Sequence, residues 1–181
     1  MHKVWKGIAA IALGYAGCGL AASPATAQGT GIVPVRVKLG VLLPQDNDTK
    51  DFAGSTHLNG EVDVSLPNFG QGKYIFTAGY SQGSRDGGKL RVIPLTVARV
   101  FGPPNPLSGI IGNVYFGVGA GAYLLKASSA GDSESKTTIG GFGVIGYQFP
   151  NPYFVEAKYH VAGSVRGISP NGLAILVGRH F

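Results

Sequence analysis

Cysteine occurs once in the 181 residues, at Cys18, and tryptophan once, at Trp5. Acidic residues are also scarce: 9 Asp and Glu stand against 15 Lys and Arg, a net charge of +6. The basic residues are scattered singly and are not interleaved with aromatics, which leaves nucleic-acid binding without support. No apolar stretch after residue 27 is long enough for a transmembrane helix. What the chain does have is glycine, 30 residues of it, with 8 Tyr, 9 Phe and 44% hydrophobic residues. That composition disfavours both a helical protein and a disordered one.

Residues 1–27 read as a secretory signal peptide. His2, Lys3 and Lys6 make a basic start, Ile8 to Leu20 a short apolar run, and Ala25-Thr26-Ala27 a small-x-small cleavage site. Tyr15 stands where a lipobox wants Leu, and the apolar run continues past Cys18, so a lipoprotein is disfavoured. Cleavage after Ala27 removes the one cysteine. Disulfides and thiolate chemistry are then excluded from residues 28–181, which suit one domain.

Eight candidate strands follow: Val33 to Leu43, Thr56 to Leu66, Lys73 to Ser81, Lys89 to Phe101, Val114 to Lys126, Lys136 to Phe149, Tyr153 to Ala162, and Leu173 to Phe181. Most exceed the five or six residues usual in sheets and match a tilted membrane strand. Period-two alternation is clean in the first, second and seventh. The fourth is poorest: Arg91 and Arg99 share parity with Ile93, Leu95 and Val97, and Pro94 predicts a bulge or local break.

Alternation alone does not say which face is inside. Three features favour apolar residues outward. Polar loops are expected after strands one, three, five and seven (Pro44 to Ser55, Gln82 to Gly88, Ala127 to Ser135, Gly163 to Gly172) and short turns after two and six. The connection Gly102 to Asn113 breaks that rule by its length. Aromatics gather at strand ends: Tyr74, Phe101, Phe149, Tyr153 and Phe181 at one rim, Tyr80, Tyr123 and Tyr159 at the other. The remaining face mixes charge with Gly117, Gly119, Gly121, Gly140 and Gly146, which would make room in a narrow lumen. The expected fold is therefore an all-β, eight-stranded antiparallel up-and-down transmembrane β-barrel.

The segments Val114–Tyr123, Gly140–Phe149 and Phe154–Tyr159, with Ile93-Pro94-Leu95-Thr96, resemble the OmpA/OmpW-type outer-membrane β-barrel domain. Terminal Phe181, with apolar residues two apart before it, resembles the signal read by the barrel-assembly machinery; Arg179 departs from that pattern. The resemblance implies a monomer in the cell outer membrane of a Gram-negative envelope, in contact with outer-membrane lipid and lipopolysaccharide. It implies no cofactor and no enzyme. A structural or surface-interaction role is the leading expectation. A porin-like, OmpW-type channel for small or hydrophobic solutes and a soluble periplasmic ligand-binding barrel are the alternatives.

The expected site is a lumen charge network of Arg36, Lys38, Glu61, Asp63, Arg91, Arg99, Glu156, Lys158 and His160, which would need pairing in a poorly hydrated interior. Glu156 and His160, four apart on one strand face, could suggest acid–base catalysis. The His-x-Ser motif of outer-membrane lipid A deacylases fails here, because Ala162 occupies the nucleophile position and Ser164 is out of register. Asp46, Asp48 and Asp51 lack the Gly and distal Glu of a calcium loop, and Asp132 and Glu134 read equally as solvated acids. Gly117-x-Gly119-x-Gly121 lacks the spacing and following helix of a nucleotide fingerprint. Intact mass of the exported protein should correspond to a chain beginning at Gln28; retention of residues 1–27 would refute the signal assignment.

Overall fold

The computed structural model describes residues 34–66, 73–102, 113–129 and 131–181. Residues 1–33, which include the signal segment, the turn 67–72, the connection 103–112 and residue 130 lie outside the described residues. The strands are β1 (Val35–Pro44), β2 (His57–Ser65), β3 (Lys73–Arg85), β4 (Gly88–Phe101), β5 (Val114–Ser129), β6 (Asp132–Gln148), β7 (Tyr153–Ala162) and β8 (Gly172–His180). Each pairs antiparallel with its chain neighbour, and β1 also pairs with β8. The result is a closed, all-antiparallel up-and-down barrel. Closure gives every strand a partner on both sides and removes the sheet edges.

The two faces of each strand separate by parity. On β1, Arg36, Lys38 and Leu42 are buried, whereas Leu39 is 69% exposed. Outward residues around the barrel are apolar and open: Leu58, Val97, Val118, Ile145, Val161, Val177, and Ile139 at 84%. This inverts the pattern of a sheet packed on an apolar core.

The polar connections are shorter than the sequence suggests. β3 and β4 run on to Arg85↔Gly88, joined by Asp86-Gly87 with φ of 47° and 85°. Asp-Gly with both residues left-handed is the two-residue hairpin turn whose twist matches its strands. β5 and β6 likewise pair out to Ser129↔Asp132. The expected loops Gln82–Gly88 and Ala127–Ser135 are thus mostly strand, because Ser, Lys, Thr and Glu are tolerated in a ladder with water on both faces. At the upper end of the barrel, the end of the Asp86-Gly87 hairpin, the connections that remain long are those between β1 and β2 and between β7 and β8. The first folds into α1 (Asn47–Ala53), with Asp46 as N-cap accepting from the Thr49 amide.

Pro94 produces no bulge. The β3–β4 ladder lapses at Gly79 and Tyr80 but keeps its register on both sides, Ala78↔Leu95 and Ser81↔Val92. The local break is real; the extra residue that defines a bulge is absent. A Cβ on Gly79 would come within 2.8 Å of the proline ring, so glycine there admits Pro94 on the inner face.

At the closing seam, a Cβ on Gly40 would meet the Ile175 carbonyl oxygen at 1.9 Å. Gly40→Ala should therefore destabilise the folded barrel by about 1–3 kcal/mol, read as a lower urea midpoint. An unchanged midpoint would show that the β1–β8 approach is looser than described.

Candidate functional site: the barrel lumen

The inner face of the lower and middle barrel is ionic. Lys38 is opposite Glu61 and Arg36 opposite Asp63 in the β1–β2 register. Across the lumen, β7 contributes Glu156, Lys158 and His160. β8 stands between β7 and β1, and its inward Ala174 and Gly178 are small enough for side chains from the two flanking strands to meet over them.

The contacts form one connected cluster. Lys38 Nζ lies 2.7 Å from Glu61 Oε2, 3.1 Å from Asp63 Oδ2 and 2.9 Å from Glu156 Oε2. Lys158 Nζ donates to Glu61 Oε2. Arg36 reaches Asp63 at 2.5 Å and Glu156 at 3.5 Å. Three cations therefore face three carboxylates. Hydroxyls complete the carboxylate shells: Thr77 donates to Asp63 at 2.7 Å and Tyr115 to Glu156 at 2.8 Å. Lys38 is 1% exposed and Glu61 3%, so these charges depend on one another for solvation.

His160 forms the upper boundary. Its Nδ1 is 3.0 Å from the Tyr123 hydroxyl, and its Nε2 is 3.8 Å from Glu61 Oε1. Aromatic rings line the cations: Phe142 lies 4.4 Å from Lys158 Nζ, and Phe154 5.1 Å from the Arg36 guanidinium. Glycine makes the room expected of it. A Cβ on Gly119 would come within 2.5 Å of the Phe142 ring, and one on Gly178 within 2.3 Å of Phe154.

Above His160 the lumen holds an apolar cluster beside the buried Asn59, Ser81 and His57. Leu90, Val92, Tyr123 and Leu125 pack with Ala53 of α1 and with Val165 and Ile168 of the β7–β8 connection. The two connections are joined: the Ser169 amide donates to Thr49 Oγ1 at 3.0 Å, and the Gln45 amide to the Asn171 carbonyl at 3.0 Å. The Thr49 hydroxyl also bonds Asp46 and holds that carboxyl below its ordinary range. At the rim, Arg166 bonds Asp132 and Glu134 and likewise pulls Asp132 down. Two cavities of about 10 Å³ flank the ionic layer, one toward Arg36 and Tyr115, the other toward Asn59 and Pro170. Each has room for about one water.

Seven of the nine expected residues meet in this cluster; Arg91 and Arg99 do not. Both face outward, Arg91 bonded to Gln82 and Arg99 set 4.9 Å from the Phe101 ring. Their parity with Ile93, Leu95 and Val97 pointed outward. The cost of a lipid-facing charge argued against it, but that cost falls to about 0–1 kcal/mol near an interface. Tyr123 corrects the girdle assignment in the opposite sense, since it is a buried lumen residue, while Tyr80 and Tyr159 are half exposed. Tyr115 and Thr77 escaped the sequence reading, although inward parity could have found them.

Glu156 is bound by Lys38 and Tyr115, so it does not form a dyad with His160. Among the described residues no group of three His, Cys, Asp or Glu could hold a metal. Asp46 caps α1, and Asp51 lies 3.7 Å from Arg85.

No family model matches the chain, and no curated protein matches it. Solved structures do. The N-terminal β-barrel domain of Pseudomonas aeruginosa OprF superposes with a TM-score of 0.56 at 15% identity, covering 84% of this chain and all of that one. The Yersinia pestis outer-membrane protein Ail gives 0.53 at 14%, covering 83% of this chain and all of that one. The fold is thus that of the small eight-stranded barrels of OmpA type.

Removing one partner from a buried ion cluster strands the other. Glu61→Leu should lower stability in detergent by about 3–5 kcal/mol, measured by urea unfolding. Glu61→Leu with Lys158→Leu should recover most of that loss. A neutral single variant would show that the cluster is solvated and not mutually dependent.

Proposed function

We propose that this chain is an integral outer-membrane barrel with a filled, structural lumen, acting through its exposed upper surface. The observation that carries this reading is the inversion of the two faces. Large apolar side chains such as Leu39, Leu58 and Ile139 stand open around the whole circumference, while the charges at mid-barrel depth, Lys38, Glu61, Glu156 and Lys158 among them, lie inside. An exposed apolar surface of that extent needs a covering, and a closed barrel with such a belt is covered by lipid. The ion-paired layer and the apolar packing above it support a plug over a channel. The two outer-membrane barrels that superpose support the location.

The same reading takes the barrel as a monomer delivered by the barrel-assembly machinery, with Phe181 in the signal for delivery. Residues of α1, the hairpin tips and the Arg166 loop then form the surface available to partners.

Detergent-solubilised protein should run at different positions unboiled and boiled on a gel. In bilayers, Leu39→Arg should cost about 2–4 kcal/mol, whereas on a water-exposed surface the change would be near neutral. Solubility in plain buffer without a band shift, or a neutral Leu39→Arg, would overturn the membrane reading. Stepwise conductance in planar bilayers that vanishes in Glu61→Leu would replace the plug with the OmpW-type channel.

A further inference from the structure

The outward face of β3–β6 changes character abruptly near its upper end. Within the belt, the β4–β5 pairs Ile93↔Leu124 and Leu95↔Ala122 are apolar. One outward step higher, Arg91 pairs with Lys126, and the next step pairs Lys89 with Ser128. Gln82 flanks Arg91 on β3, and Ser135 flanks Lys126 on β6. Two cations placed directly opposite in a ladder repel each other. Among the described residues, neither Arg91, Lys126 nor Lys89 has a carboxylate within ion-pair distance. The nearby acids are on the other face: alternation puts Asp132 and Glu134 opposite to Ser133 and Ser135, where Arg166 engages both.

The Arg91 side chain is also held. Its Nε donates to Gln82 Oε1 at 3.1 Å, and that oxygen accepts from the Tyr80 hydroxyl at 2.7 Å. The bond through Nε restrains the guanidinium and leaves its two terminal nitrogens to meet a phosphate. Tyr80 is itself half exposed at the top of the belt.

We infer that Arg91 and Lys126, with Lys89 above them, seat a phosphate group of a phosphorylated outer-leaflet lipid whose acyl chains lie along Ile93, Leu95, Leu124 and Ala122. The position selects a lipid over a free anion, because the cations sit directly above a surface that already takes hydrocarbon. A phosphate between Arg91 and Lys126 removes their repulsion and gives both a counter-charge. This inference rests on the membrane reading with the α1 end facing outward from the cell, and adds to it a place on the circumference and a headgroup chemistry.

The test is native mass spectrometry of the detergent-folded mature protein, its fold checked by the gel shift on boiling. The probes are a glucosamine-disaccharide lipid carrying phosphates, the same lipid after phosphatase treatment, and inorganic phosphate as competitor. The expected result is adducts with the phosphorylated lipid, much weaker ones with the dephosphorylated lipid, and no competition by inorganic phosphate. Arg91→Gln with Lys126→Gln should weaken adducts with the phosphorylated lipid roughly 30-fold, while Arg179→Gln with Arg99→Gln at the opposite rim should leave them unchanged. Equal retention of the two lipids by the unmodified protein overturns the proposal whether or not any variant folds. Displacement by inorganic phosphate overturns the lipid assignment. A protein soluble without detergent overturns the membrane reading and this inference together; a normal gel shift without phosphate discrimination overturns this inference alone.

Discussion

Everything inside this barrel depends on the Lys38–Glu61–Lys158 bridge. Glu61 from β2 is shared by an ammonium from β1 and one from β7, so a single carboxylate ties strands on both sides of β8 across the lumen. No apolar side chain could do this with the same specificity of register. A shift of β1 by one residue would send Arg36 and Lys38 outward, strip Asp63 of both its cations and leave Glu61 with Lys158 alone. The cluster therefore penalises wrong pairings far more than it stabilises the right one, the role for which buried ion networks are best suited.

The outer face gives little such information. Its residues are apolar and nearly interchangeable, and lipid is indifferent to which of them it meets. Specificity in a small barrel must then come from within, where small and large residues are matched pair by pair. Phe142 over Gly119 and Phe154 over Gly178 show the matching: each ring fills a lumen segment that the facing strand leaves vacant. Higher up, the same principle continues with apolar groups, and the α1 and β7–β8 connections close over Tyr123 and Leu125 as a soluble protein's core would.

The barrel was legible because its signals are additive. Period-two alternation on β1, β2 and β7 recurs over 10, 9 and 10 residues, and β7 falls at Tyr153–Ala162 as its alternation indicates. The hairpin tips were less legible, because Ser, Thr and Lys report contact with water and do not distinguish a loop from a strand rising clear of the bilayer. The Asp86-Gly87 dipeptide held the answer, since it is a turn signal two residues long inside a polar run of seven. For the site, parity located the inward charges on β1, β2 and β7. It failed at Arg91 and Arg99 only where a rule about charge depth was applied without regard to depth. Tyr115 was hidden because its strand is dominated by glycine, and its hydroxyl matters only once Glu156 is placed beside it.

Arg91 and Arg99 lie on one strand, with only Ile93, Leu95 and Val97 facing outward between them. An extended strand cannot lengthen, so the distance between these two cations is set by covalent geometry. In the proposed setting they behave as a fixed gauge, with one charge for each boundary of the hydrocarbon layer. The protein cannot ride up or down to suit a thicker bilayer without drawing one guanidinium into oil. Tilting would only shorten its span, so the lipid around β4 must thin to meet it. A short barrel of this kind thus imposes a local thickness on its surroundings, and would gather with neighbours that impose the same one.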